Sequence, residues 1–219
     1  MEKVLYIITG TTSGLGKELQ KIFIKNNVNY IAINRTVADL SKIPEVEKAL
    51  EDLKANIQKK YNDHKVVFVN NASTLGEVLP LNLCKSEDLI STINVNFVTP
   101  LLFFNALSST GNKWGLFNIT SGASKTQNKY LGLYSTTKLA VENFVKFINM
   151  ESEQNNCFAT YNYDPGLVDT NMHTRLKTNK YFKNKKIEKV VPKDAIMVAT
   201  EIWSLLKTMI EVNNDKGVD

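Results

Sequence analysis

The run TGTTSGLG, from Thr9 to Gly16, limits what this chain can fold into more than any other stretch. It stands between KVLYIIT (Lys3 to Thr9), a β-branched-rich run that reads as a short strand, and GKELQKIFIKNN, whose apolar residues recur at helical spacing. Gly10, Gly14 and Gly16 let the backbone turn tightly between the two and approach a ligand closely. The helix that follows offers N–H groups and the positive end of its dipole to an anion. A glycine turn can be purely structural, and this spacing is not GxGxxG. Directly after a first strand, however, it points to the diphosphate of a dinucleotide.

The alternation of strand and helix continues along the chain. VNYIAIN reads as a second strand, PEVEKALEDLKANIQKK (Pro44 to Lys60) as a helix with proline near its start, and KVVFVNNAS as a buried strand that breaks at Asn70 and Asn71. Ser86 to Thr110 is a long apolar helix with Pro100 inside it, which predicts a kink there. WGLFNITS is the next strand, a helix begins near Tyr134, CFATYNYDPG is a strand closed by Pro165 and Gly166, and a last helix runs from about Asp194 to Val212. Such alternation predicts an α/β fold, a doubly wound parallel sheet covered by helices on both faces, in one domain spanning residues 1–219. No internal repeat or low-complexity linker interrupts it.

Composition narrows the function classes. With 219 residues and 43% apolar content, one sizeable core is expected. No window holds 18 uninterrupted apolar residues, and MEK leads into the first strand without a cleavage-site pattern, so a cytoplasmic protein with no membrane partner is expected. Cys84 and Cys157 are far apart with no CxxC spacing, which reads as core thiols. With only His64 and His173, no metal is expected. The net charge of +5 is local: Arg175, Lys177, Lys180, Lys183, Lys185, Lys186 and Lys189 face one acid, Glu188, a surplus of seven minus one. A solvated loop explains this as well as attraction of an anionic cofactor does. No recognition helix or RNA-binding aromatic motif supports a nucleic-acid partner.

In LGLYSTTKLAVENF, Tyr134 precedes Lys138 by four residues, so both lie on one helical face. Such pairs arise by chance in most proteins, but an ammonium beside a phenol favours the phenolate, and the expectation is a lowered Tyr134 pKa and a side chain able to exchange protons near neutral pH. Ser121 ends the strand WGLFNITS, where its hydroxyl can project at the carboxyl edge of the sheet. Arg35 follows the second strand in AINRT, a place where an acid suits the ribose 2′-hydroxyl of NAD and an arginine suits the 2′-phosphate of NADP.

Taken in order, TGxxxGxG, the strand end Asn70-Asn71-Ala72, Asn96 in the long helix, Ser121, the YxxxK pair thirteen residues later and the PGxVxT turn (Pro165, Gly166, Val168, Thr170) resemble the short-chain dehydrogenase/reductase family. The match covers almost the whole chain. NITSGASK and NYDPGLVDTNM are most similar to the sepiapterin reductase and bacterial benzil reductase branch. The resemblance implies a Rossmann-like fold and an NADP-dependent carbonyl reductase acting on a ketone, diketone or pterin-like carbonyl. It implies Ser121, Tyr134, Lys138 and Asn96 as catalytic residues, with Ser121 holding the carbonyl, Tyr134 protonating it, Lys138 on the cofactor ribose, and Asn96 bending its helix and anchoring a proton-relaying water. Cofactor contacts are implied for Gly10, Thr12, Ser13, Gly14, Leu15, Gly16, Arg35, Asn70, Ala72, Tyr134, Lys138, Pro165, Gly166, Val168 and Thr170. A basic lid over about 169–191 would close on the substrate.

The chain also departs from that family. Between Arg35 and Pro44 a crossover helix, an edge strand and an Asp-hydrophobic adenine contact are normally found, and here only TVADLSKI is available. Either Asp39 and Leu40 are the adenine contact and the crossover helix is deleted, or RTVADL opens the helix and the third strand is missing. Ser73 stands where NNAG has glycine, and the chain stops at KGVD, where a last strand would begin. A dinucleotide-binding redox sensor is the alternative function, and an epimerase a more remote one, since few residues follow PGLVDT. Phe97, Leu101, Phe104 and Leu107, with Val141, Phe144, Val145 and Ile148, place apolar residues on more than one stripe of two helices, so a homodimer or homotetramer is expected.

Overall fold

In the computed structural model, which describes residues 2–126, 128–182 and 190–212, five strands run parallel in one sheet. They are β1 (Val4–Thr9), β2 (Asn29–Ile33), β3 (Lys65–Asn70), β4 (Trp114–Ile119) and β5 (Cys157–Tyr163), in the spatial order β2-β1-β3-β4-β5. A parallel sheet needs cover on both faces, and the strand residues alternate between two cores accordingly. Leu5, Ile7, Val66 and Phe68 enter one core with α2 (Ile43–Lys60), α4 (Thr99–Ser108) and α5 (Gly132–Met150). Tyr6, Ile8, Val67 and Val69 enter the other with α1 (Gly14–Lys25) and α8 (Ala195–Glu211). Each such apolar side chain contributes about 1.5–3 kcal/mol on burial. The chain leaves β1 to one side for β2 and returns on its other side as β3. The carboxyl ends of β1 and β3 therefore flank the switch point at which open α/β sheets bind ligands.

Beyond β2 no further strand pairs among the described residues. Asn34 Oδ1 accepts from the N–H and hydroxyl of Thr36, and Asp39 Oδ1 accepts from the N–H and hydroxyl of Ser41, so two short side-chain turns carry the chain straight into α2. The turn is pinned from across the sheet face: Thr99 Oγ1 donates to the Leu40 carbonyl at 2.9 Å and Asn94 Nδ2 to the Ser41 carbonyl at 2.8 Å. Each of the two alternatives left open by the sequence is met in part: the helix opens at Ile43 and not within RTVADL, as the first requires, and the edge strand is missing among the described residues, as the second requires, while Asp39 and Leu40 line the cavity. Asp194 caps α8 by accepting from Ile196 N and Met197 N, but KGVD and Lys183 to Lys189 lie outside the described residues.

The helix expected over 86–110 is divided. α3 (Ser86–Ile93) passes through a π-helical turn, Asn94–Val98, into α4. The deviation thus precedes Pro100 rather than falling on it. Proline has no N–H to offer and its ring crowds the carbonyl four residues back, that of Asn96, and a wider turn relieves the clash. By length and composition Ser86–Ser108 would suffice to cross a membrane, yet Phe103, Ala106 and Leu107 pack onto the sheet, Phe103 stacking on Phe68 with ring centroids 4.6 Å apart. The apolar surplus expected on these helices is smaller than the sequence suggests. Leu107, Val141, Val145 and Ile148 belong to the core of the chain itself, while Phe97, Leu101, Phe104 and Phe144 are half-buried.

Candidate active site

A cavity of about 770 Å³ opens at the carboxyl ends of the strands. One wall is the glycine turn. Gly10 has φ +74°, and a Cβ there would lie 2.9 Å from Ala72 Cα; a Cβ on Gly16 would lie 2.3 Å from the Gly10 carbonyl oxygen. No larger residue fits either place without moving backbone. The turn is fastened to the end of β3 by Asn71, whose Nδ2 donates to the carbonyls of Thr9 (2.8 Å) and Gly10 (3.0 Å), and by Thr9 Oγ1, which accepts from Asn71 N and Ala72 N. Ser13 is the N-cap of α1 yet makes no side-chain cap bond, so the first amides of that helix keep their donors for a ligand. Thr12, Ser13, Gly14 and Leu15 line the cavity. An uncapped helix start behind a turn that excludes side chains fits a dinucleotide diphosphate.

Across the cavity lie Pro165, Gly166, Val168 and Thr170. The Thr170 side chain approaches Gly14 closely, and its Oγ1 accepts from His173 N to start α7 (Asn171–Lys177). At the rim near β2, Arg35 is exposed beside Asn34 and Asp39. The Asp39 carboxyl is held below its ordinary pKa by its bonds from Ser41 first, with Lys42 and Arg35 adding to the effect. The opposite end is largely apolar, formed by Leu75, Leu131, Met172 and Leu176, with Thr126, Asn128 and His173 as its polar members.

Ser121, Tyr134 and Lys138 line the same cavity. Ser121 follows β4 and caps a 3₁₀ turn, Gly122–Lys125, its Oγ accepting from Ala123 N at 3.2 Å. Tyr134 and Lys138 occupy successive turns of α5, both buried. The expected lowering of the tyrosine pKa is reversed. Burial pushes the Tyr134 phenol up, and hydrogen bonds with the Ser121 and Ser73 hydroxyls oppose it only in part. Lys138 Nζ donates to the Ile119 carbonyl at 2.9 Å and lies over the Tyr134 ring, 6.0 Å from its centroid. Burial pushes the Lys138 ammonium itself down to about 8, against the pull of the Glu142 carboxylate. Desolvation is the largest cause of both shifts, because each group has left water for a protein interior.

Two of the residues singled out from the sequence do not reach the cavity. Asn70 is buried in a ladder across the sheet, its Nδ2 donating to Asn118 Oδ1 and Asn118 Nδ2 to Asn162 Oδ1, each at 2.8 Å. Strand register places these three side by side. Asn96 lies behind the site, and its amide is committed to Thr74, Ser73 and Thr137. Conversely, Asn71 and Ser73 carry more than their sequence reading, as tether of the glycine turn and partner of Tyr134. Ser73 is noticeable in the sequence only as the residue replacing a glycine. Glu142, whose carboxylate reaches Thr120 and Ser124, has no sequence signal beyond its helical spacing from Lys138.

Comparison with known proteins agrees with this arrangement. The family model for short chain dehydrogenases matches residues 4–181. Among curated proteins, a benzil reductase ((S)-benzoin forming) of Bacillus cereus is 26% identical over 195 residues, covering 78% of each chain, and one of Bacillus subtilis is 25% identical over 193 residues, covering 80% of this chain and 79% of its own. Among solved structures, the 3-ketoacyl-(acyl-carrier-protein) reductase of Brucella melitensis, complexed with NADH, superposes with a TM-score of 0.72 at 21% identity, over 93% of this chain and 91% of its own. A glycine-walled helix start, a parallel sheet with its switch point beside it, and a matched profile across most of the chain place this protein in the short chain dehydrogenase family, as an NAD(P)-dependent oxidoreductase.

Proposed function

We propose that the protein is an NADPH-dependent carbonyl reductase acting on an apolar ketone or diketone, with Tyr134 as the proton donor. The observation that carries this reading is that Ser121, Tyr134 and Lys138 line one cavity with the glycine turn. The dinucleotide, when bound, supplies the hydride. Ser121 donates a hydrogen bond to the substrate carbonyl oxygen, and the Tyr134 hydroxyl gives its proton to the same oxygen as negative charge develops on it. Burial, which raises the phenol, keeps Tyr134 in the protonated form that a reduction requires. Lys138, while protonated, stabilises the phenolate left behind and donates to the ribose. The uncapped amides at the start of α1 receive the diphosphate, and Arg35 receives the 2′-phosphate.

The apolar end of the cavity, Leu75, Leu131, Met172 and Leu176, supports an uncharged, apolar substrate, and two relatives are benzil reductases. We further propose a dimer through α3 and α5, where Ile90, Ile93, Leu139 and Phe147 are exposed. The direct test of function is NADPH oxidation against a panel of diketones, quinones, pterins and aldehydes, with reduction of an apolar diketone expected. Tight NADPH binding without turnover on any of them would favour the redox sensor instead.

A further inference from the structure

Glu142 stands one turn beyond Lys138 on α5, and together the two side chains grip the end of β4 from Ile119 onward. Lys138 Nζ donates to the Ile119 carbonyl. Glu142 Oε1 accepts from the Thr120 hydroxyl and lies 2.6 Å from the Ser124 hydroxyl, whose oxygen is also 2.8 Å from the Ser121 carbonyl. The carboxylate thus meets the residue just before Ser121 and the 3₁₀ turn just after it. Bonds from hydroxyls to a carboxylate are stronger than neutral ones, and they add to the backbone bond from Thr120 N to the Tyr163 carbonyl (2.8 Å) in holding this segment.

The same carboxylate lies on the face of α5 that also carries Lys138, four residues before it. Lys138 is 5% exposed, and burial at that depth weakens the hold of an ammonium on its proton. The elements packed around it bring few charges. On α5 it has Tyr134 and Glu142; the end of β4 offers the neutral Ile119 carbonyl and the Thr120 and Ser121 hydroxyls; the π turn offers the Asn96 amide. Asp164, after β5, acts on Tyr134, while Arg35, Asp39 and His173 sit elsewhere around the cavity. Glu142 is the acid that acts on Lys138.

We propose that Glu142 is a positioning residue of this site, which holds the segment presenting Ser121 and supplies the fixed negative charge that keeps Lys138 an ammonium. It touches neither substrate nor cofactor and acts through those two residues. The inference rests on the reductase reading for its catalytic consequence, but the charge relation does not depend on turnover. Glu142→Gln separates the two parts, since the amide oxygen still accepts from Thr120 while the charge is gone.

The test is the titration of Lys138 in the full chain, followed by NMR of protein labelled with ¹³C-lysine and assigned with Lys138→Met, beside the pH profile of kcat/KM for NADPH oxidation. Glu142→Gln is expected to lower the Lys138 midpoint by about 1 unit or more, the low end of an opposite-charge effect, and to draw the alkaline limb of the profile down with it. An unchanged midpoint in the folded variant overturns the assignment. A lowered midpoint in a protein whose wild type reduces no carbonyl upholds Glu142 as the counter-charge and removes the reductase reading instead. If Glu142→Gln does not fold, Glu142→Asp, which withdraws the charge by one methylene, takes its place. A smaller fall in the midpoint then supports the proposal and none contradicts it.

Discussion

Asn96 and Thr74 close a ring of two hydrogen bonds: the Asn96 Nδ2 donates to the Thr74 carbonyl and its Oδ1 accepts from the Thr74 N–H, both at 2.8 Å. The same amide donates to Thr137 Oγ1 at 3.1 Å, and Thr137 in turn donates to the Tyr134 carbonyl. A side chain on the π turn thereby behaves like a strand neighbour for the loop after β3 and links that loop to α5.

Removing this amide leaves buried backbone groups without partners. Asn96→Ala is expected to destabilise the fold by about 2–4 kcal/mol, from the cost of unsatisfied buried polar groups at roughly 1–3 kcal/mol each. Urea unfolding of the variant beside wild type measures it. Asn96→Asp keeps the acceptor for Thr74 N but buries a carboxylate whose second oxygen faces the Thr74 carbonyl, so a loss at least as large is expected. A change below about 0.5 kcal/mol, the size ordinary for a surface substitution, would show that the ring contributes little.

The pH dependence follows from Lys138. Its pKa in the fold is pushed down to about 8 by burial, so the ammonium is present below that pH and lost above it. With the ammonium stabilising the Tyr134 phenolate, as proposed, kcat/KM for reduction should be level on the acid side and fall as pH rises through about 8. Lys138→Ala should remove that limb and lower the rate across the range. A wild-type profile flat to pH 10 would contradict the role given to Lys138.

The proposed determinant of coenzyme choice is Arg35, exposed at the rim of the cavity. A charge-assisted contact to the 2′-phosphate contributes roughly 1.5–3 kcal/mol, or about ten- to a hundredfold in affinity. Arg35→Asp should lose that preference and add repulsion, so that NADH becomes the better coenzyme. The ratio of kcat/KM for NADPH and NADH reports it, and an unchanged ratio would move the recognition to Thr12, Ser13 or Lys17.

The pairing proposed through α3 and α5 is tested by sedimentation. A dimer or tetramer is expected at micromolar concentration, weakened by Phe147→Asp, which changes an exposed residue of α5. An active species at the 24.7 kDa of one chain would contradict it.

Much of this architecture is legible because local rules act alone in it. The glycine turn, the β-branched strands and the order of elements follow from short-range sterics and periodicity, and the structure places them as those rules require. The division of the long helix is different, since proline announces a disturbance but not that a π turn upstream absorbs it. The sign of the Tyr134 shift is also hidden, because spacing shows that Lys138 is near and not that both groups are desolvated. Likewise the Asn70–Asn118–Asn162 ladder and the reach of Glu142 to Thr120 join residues 20 or more positions apart. Register and packing create those contacts, and no local pattern encodes them.

Proton donation by Tyr134 is the centre of the account, and single-turnover oxidation of bound NADPH in the presence of an apolar diketone measures it most directly. Tyr134→Phe removes one hydroxyl from a buried ring and should leave NADPH binding within a few-fold of wild type while slowing the hydride step by ~10²–10⁴-fold, the range of general acid catalysis. A variant that keeps more than about a tenth of the wild-type rate, with binding intact, would show that the proton comes from elsewhere.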